Sequence, residues 1–462
     1  RKTANATINS TIRIKIKKYS NIMSGRKLIG SPVLLQDWDD DAEEGAAKYW
    51  ELFLDLLMVA AASAVADGLK ENPTWNGFND FLILYFLFVN GWMLYTHVTT
   101  RFEDGTFLHA MVLFVFILGN AICIVNANLK TSASALAFGA LLQRIAILLM
   151  LFSIHLCIPR ARTFCEKFGT LVLLEAIVLT LVTCIGNDHQ ASTHFLFWVG
   201  ICIELSSEFS LSFSMTREEL VPINIEHTKD RLGILLLVML GETVISTTIE
   251  YRRLTEAEEI HEYRGYYWVL FWALVLVFFY TLLFFAMSPP PAFHALRRGK
   301  MHGSALMFFH KCMCGSVLAV GAAVKLTIEA VIVGEELGDF AVGLWSVSVG
   351  CSLIFLFGMR LLHYLGVVPS GSEPPHVIRL MHTWWLMFAL STLLPFLGLV
   401  FKIRDPVTSI ATYAGFLFVL CFIESSFTHV LEPFLVQDAM EEKEEAASLK
   451  ISSVPSFYQS TG

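Results

Sequence analysis

Apolar runs of about twenty residues recur twelve times along this chain, separated by short polar stretches that carry most of the Pro and charge. A helix rises about 1.5 Å per residue, so such a run covers the roughly 30 Å of hydrocarbon in a bilayer. The pattern predicts spans at 49–68, 79–100, 107–127, 134–157, 168–186, 193–214, 228–249, 266–287, 302–330, 341–363, 377–401 and 410–430. Breakers fall between them: Pro73 and Gly77, Pro159, Gly186 to Asp188, Pro222, the triple Pro289 to Pro291, Gly334 and Gly338, Pro369 to Pro375, and Pro406. The strict alternation of a lipid-facing barrel strand is missing.

Composition agrees with the pattern. Of 462 residues, 55 % are hydrophobic and 16 % charged, and the mean hydropathy is +0.59, outside the range of a soluble domain. The expected fold class is all-α, a polytopic membrane helix bundle. Its divisions are a polar tail over 1–48, a first transmembrane half over 49–224, a second over 225–430 and an acidic tail over 431–462. Acids gather at 37–44 and 438–445, which accounts for much of the net charge of −8. Residues 1–36 hold Lys and Arg but no acid, and two readings stand for the first 22: an organellar targeting sequence, or an extension ahead of a natural start at Met23. The nine cysteines lie mainly within apolar runs, without the paired spacing of a disulfide framework or a zinc ribbon, and Cys312 and Cys314 read as packing residues.

Basic residues crowd the amino terminus and the loops holding Arg160, Arg162, Arg217, Arg297, Arg298 and Lys300. The opposite loops hold Lys70, Lys130, Arg252, Arg253, Arg264, Lys402 and Arg404. The positive-inside rule then places both termini in the cytosol, with the Arg252 loop dissenting, in a plasma membrane or an organellar one. The halves also echo each other. Glu51 and Asp55 recur as Glu226 and Asp230, His109 as His302, Arg144 as Arg360, and CIELSSEF at 202–209 as CFIESSF at 421–427. Six helices per half would make the repeats parallel, related by an axis along the membrane normal.

Ionisable groups inside apolar helices are costly and mark function or specific pairing. Glu51 and Asp55 stand one turn apart at the head of the first span, on one helix face. The seventh span opens with His227, Asp230 and Arg231 and carries Glu242 eleven residues beyond Arg231, about three turns along the same side. Glu204 and Glu208 sit a turn apart among serines in the sixth span, and Glu175 and Glu424 are lone acids in the fifth and twelfth. Arg144, ionised in mid-helix, needs a carboxylate beside it, and Glu51, Asp55 or Glu242 could serve. Lys325 either partners an acid inside the bundle or snorkels to the interface, with Glu329 one turn away.

The runs WELFLDLLMVAA, THVTTRFEDG, HTKDRLGILLLVMLGETVIS and MHGSALMFFHKCMCGSVLAVGAAVKL resemble the low-temperature-requirement A proteins over about residues 48–430. That family carries an ElFfDLvFV opening, an aRFdtdd stretch and an ERfGlfiivLGEs segment. Here Lys229-Asp230-Arg231 stands where the family usually has Glu-Arg, and Leu replaces Phe in LFLDLLMV. The resemblance implies fold and class and brings no activity with it.

The function these features favour is a secondary transporter or ion pathway, proton-coupled, in which Glu51, Asp55 and Glu242 form an acidic centre, with Glu204 and Glu208 beside the path. The charge partners would be Arg144, Arg231, His227, Asp230 and Lys325. The partners expected are the lipid bilayer and a small ion or solute, with homo-oligomerisation open and no nucleic acid. A second reading is a regulatory or structural membrane protein, which the resemblance links to cold or stress adaptation. A third is an intramembrane enzyme. His97, His109, His302, His310, His363 and His382 show no HExxH or other tight ligand spacing, and no P-loop, nucleophile elbow or dinucleotide motif is present, so neither enzyme activity, metal nor cofactor is expected.

Overall fold

A computed structural model describes residues 31–35, 49–187, 189–216, 218–256, 263–286, 289, 293–365 and 374–452, with backbone alone for 250–256, 263 and 432–452. The basic leader before Met23, the acidic run at 37–44 and Arg217 lie outside the described residues, as do parts of the Pro289 and Pro369 breakers.

Twelve helical spans among the described residues are long and apolar enough to cross a membrane, the eleventh counted through Phe401. They are α1 (Tyr49–Glu71), α2 (Trp75–Thr99), α3 (Phe107–Val125), α4 (Ala133–Cys157), α5 (Arg162–Ile185), α6 (Gln190–Ser214), α7 (Ile225–Glu256), α8 (Tyr263–Ala286), α9 (Lys300–Val333), α10 (Asp339–Tyr364), α11 (Pro375–Ser391) and α12 (Pro406–Ser452). The protein is an all-α integral membrane protein. A two-stranded antiparallel ladder joins β1 (Val33–Leu34) to β2 (Phe102–Glu103), tying the segment before α1 to the loop after α2. The face of the bundle where α1 begins is called the near face below, and the opposite one the far face.

Local chemistry starts and stops these helices. Thr74 and Thr106 accept hydrogen bonds from the N–H groups of Gly77 and His109, capping α2 and α3, and Asn224 Oδ1 accepts from His227 to start α7. Gly334, at φ 79°, ends α9: its N–H and that of Glu335 both donate to the Ala330 carbonyl. The carboxyl end of α10 is closed by Arg298, whose guanidinium donates to the carbonyls of Leu362, His363 and Leu365.

Four predicted spans change at their ends: α5 starts at Arg162 rather than 168, α7 runs to Glu256 rather than 249, and the last two change most. The eleventh was expected to run unbroken over 377–401, but α11 stops at Ser391, a 3-10 turn follows at Leu394–Leu397 around Pro395, and a last helical turn at Gly398–Phe401 ends on Lys402 in the left-handed region. Proline lacks the N–H the helix needs there. The twelfth continues beyond 430 to Ser452, through a stretch of Glu, Lys and Ala that favours helix.

The bundle is organised around α9, which packs on α1, α2, α6, α7, α8, α10 and α12. The two halves share one kind of ion pair. Arg144 of α4 meets Glu204 of α6, and Arg360 of α10 meets Glu424 of α12, so helices six apart carry matching pairs. Elsewhere they differ: α9 is central whereas α3 is largely outward-facing, and Asp230 is exposed and Glu226 half-buried where Glu51 and Asp55 are buried.

Candidate functional site

Helices α1 and α7 pack together, and the spacing of their charges makes a ladder. Glu51 and Asp55 are four residues apart, as are His227 and Arg231, and the two pairs meet at the same offset of 176 residues. An equal offset requires parallel helices in register, so the i, i+4 spacing read in each sequence segment becomes two rungs between them. On the first rung His227 Nε2 lies 3.0 Å from Glu51 Oε2, both side chains no more than 2 % exposed. On the second, Arg231 donates to Asp55 Oδ2 at 2.5 Å, and the Trp92 indole N–H of α2 donates to Asp55 Oδ1 at 2.8 Å. The Arg231 guanidinium also lies over the Trp92 ring at 4.7 Å, so one tryptophan serves both charges.

Beyond Arg231 the interface turns apolar. Met58, Ala61, Ala62 and Val65 of α1 and Leu235, Leu236 and Met239 of α7 are buried there. Charge returns toward the far face with a third cluster. Lys325 of α9 places Nζ 2.7 Å from Glu242 Oε1 of α7 and 2.6 Å from Asp67 Oδ1 of α1. Ser246 donates to Glu242 Oε1 at 2.6 Å, while Glu242 Oε2 has no partner among the described residues. The two acids differ in surroundings: the Glu242 side chain is fully buried and that of Asp67 is 54 % exposed. Gly321, one turn before Lys325, brings α9 close to α7; a Cβ there would stand 3.1 Å from Thr243 Oγ1.

A separate network occupies the other side of the bundle. Arg144 is wholly buried on α4 and donates from Nε and NH2 to Glu175 Oε1 of α5 at 2.9 and 2.6 Å, from NH2 to Glu204 Oε2 of α6 at 3.0 Å, and from NH1 to the adjacent Gln143 at 2.9 Å. One turn along α6, Glu208 accepts from Lys311 of α9 at 2.9 Å and lies 3.4 Å from His97 of α2. Glu204 and Glu208, neighbours in sequence, therefore answer to different cations.

These contacts correct two expectations. Arg144 does not neutralise Glu51, Asp55 or Glu242; α4 packs on α2, α3 and α5, which puts Glu175 within its reach. Nor do Glu51, Asp55 and Glu242 form one centre, because eleven residues of α7, about 16 Å of helix, separate Arg231 from Glu242. Asp230 points away from the ladder to an exposed position. Of the two readings for Lys325, the interior one is correct, and Glu329 lies instead 3.6 Å from Lys70. Asp67 and Trp92 were not anticipated, and Lys311 reads in the sequence only as a charge near the start of its helix. Asp67 lies near a span end, where charge is unremarkable; Lys311 stands eleven residues into α9, where nothing in its own helix names Glu208 as its partner; and a tryptophan in an apolar helix gives no sign that its N–H holds an acid.

A cavity of about 150 Å³ opens at the near face and reaches Glu51. Tyr95, Thr99, Asp104 and His109 also line it, so its polar wall is rich in oxygen. Among the described residues, no three His, Cys, Asp or Glu side chains converge to hold a metal ion.

No curated protein and no solved structure matches the chain. The family model described as bacterial low temperature requirement A protein (LtrA) matches residues 46–422, a stretch that contains every rung of the ladder and the Arg144 network. The chain therefore belongs to the low temperature requirement A family.

Proposed function

We propose that the protein is a secondary transporter or ion pathway, proton-coupled, that works through the carboxylates of the α1–α7–α9 interface, with Glu204 and Glu208 lining a second charged route. The observation that carries this reading is the near-face cavity ending on Glu51, the first rung of the ladder. A proton or small cation entering it meets Asp104 and then Glu51, which already faces a basic side chain. Protonation of Glu51 weakens its attraction to His227 and loosens α1 from α7 at that end, coupling occupancy to helix movement. The Arg144 site sets two carboxylates against one guanidinium, an uneven charge count that a single shared proton balances. The near face is the cytosolic one in this proposal, supported by Arg160, Arg162, Arg297, Arg298 and Lys300 on that side.

A second reading, a membrane protein with a regulatory or structural role in cold adaptation, is favoured by one observation: both oxygens of Asp55 are engaged, by Arg231 and Trp92, the geometry of a register-setting pair. Purified protein in liposomes separates the two. The transport reading expects a pH-dependent flux of protons or alkali cations that Glu51→Gln and Glu242→Gln each reduce at least tenfold. Absence of any such flux, with both variants changing thermal stability alone, would leave the structural reading.

A further inference from the structure

A second, larger cavity lies on the other side of α7, enclosed by α7, α8, α9 and α10 at the near face, with a volume of about 320 Å³. That is the scale of a small-molecule site. Most of its wall is apolar, including Ile234, Phe284, Phe285 and Leu306, and Leu237, which also lines it, is exposed. The polar exceptions are of one kind. Lys229, His294, His310, His363 and Arg360 all line it, with His310 Nε2 3.4 Å from Cys314 Sγ, and Asp230, its one carboxylate among the described residues, is exposed.

Each basic group offers N–H. The Arg360 guanidinium spends NH1 on Glu424, at 3.0 Å, and lies 3.4 Å over the Trp384 ring, but its buried NH2 has no partner among the described residues. His363 Nδ1 accepts the Ala295 N–H at 3.0 Å and its ring also meets the Phe293 backbone, while His294 Nδ1 accepts from Leu296 at 3.4 Å, which leaves the proton of a neutral His294 ring on Nε2. The two rings are 5.0 Å apart. Burial pushes His294 down to about 4, and the charges of Lys229 and Arg297 push it the same way, the mark of a positive field at the mouth.

We propose that this cavity binds an amphiphile with one anionic head and an acyl chain, the head held by Lys229, His294, His363 and Arg360 and the chain laid between Phe284, Phe285 and Leu306. A cationic head without acceptors would leave the imidazole and guanidinium N–H groups unmet, a neutral head would accept from them but leave the charges of Lys229 and Arg360 without a counter-charge from the ligand, and a polar solute would not wet the apolar walls. The head chemistry is shared by a free fatty-acid carboxylate and an anionic phospholipid. The site stands apart from the α1–α7–α9 ladder and does not depend on transport.

The test uses the full chain in phosphatidylcholine nanodiscs with a dodecanoate that carries a diazirine on its chain, crosslinked by light and mapped by mass spectrometry. Labelling is expected on Leu237, Phe284, Phe285 or Leu306, with the matching dodecanol and dodecyltrimethylammonium probes labelling these positions at least tenfold less. Lys229→Gln, at a half-exposed position, and Ile234→Trp, which fills the cavity, should each reduce labelling about tenfold with unchanged thermal stability. Competition by phosphatidylglycerol at bilayer concentration identifies the ligand as a membrane lipid, and competition by free dodecanoate alone identifies a free amphiphile. Equal labelling by the uncharged probe, indifference to Lys229→Gln, or competition by neither overturns the proposal.

Discussion

Asp55 and Arg231 show what a buried charge demands of its neighbours. Removing one member of a buried pair strands the other, at a cost of about 3–5 kcal/mol, whereas replacing both with apolar groups of similar volume is often neutral. Asp55→Asn should therefore lower the thermal midpoint sharply, and Asp55→Leu with Arg231→Met should recover most of it, as read by melting in detergent. Recovery of stability with loss of flux would assign the pair to transport. His294 sets a pH dependence of its own. Its folded value, about 4, lies below the ordinary 6.5, so the unfolded chain binds the extra proton as pH falls between them. The stability of the neutral ring is intact above pH 6.5 and erodes down to pH 4, by on the order of 3 kcal/mol; His294→Gln should flatten the melting profile over that window. At this scale the sequence was legible wherever a charge interrupts an apolar run, as Glu51, Asp55, Arg231 and Glu242 do. It was silent on pairing, because the distance from Arg144 to Glu175 depends on which helices adjoin, and nothing in either helix states that.

Helices were easier to read than their neighbours, because hydrophobic length is a one-dimensional property. Most spans emerged from length and breakers within a few residues, but α5 starts six residues early, α7 runs seven residues further, Pro395 ends α11 early and helix-forming Glu, Lys and Ala extend α12. Register between α1 and α7 was hidden in two i, i+4 spacings that each look local until the helices are seen side by side. The approach of α9 to α7 rests on the missing side chain of Gly321. Gly321→Val should push these helices apart, cost about 1–3 kcal/mol as overpacking, and separate Lys325 from Glu242. The check is a melting shift together with faster labelling of Lys325 by an amine-reactive reagent; unchanged labelling would mean that the pair does not depend on this contact.

At the scale of the whole molecule, the bundle divides its charge between two sides of α9: the ladder on α1 and α7, and the Arg144 and Glu208 networks on α4, α5 and α6. Composition announced a membrane bundle but could not announce this division, which arises from the packing of seven helices around one. Within the ladder, the apolar layer between Asp55 and Glu242 has an electrical consequence. It is about 16 Å thick, roughly half the hydrocarbon depth, and of low dielectric constant, so a corresponding share of the transmembrane voltage falls across it. Moving one elementary charge across a full 100 mV takes about 2.3 kcal/mol, and crossing this layer alone about 1.2. Any ion or proton that passes from one charged tier to the next does electrical work there, and the current it carries should grow steeper as the membrane is polarised.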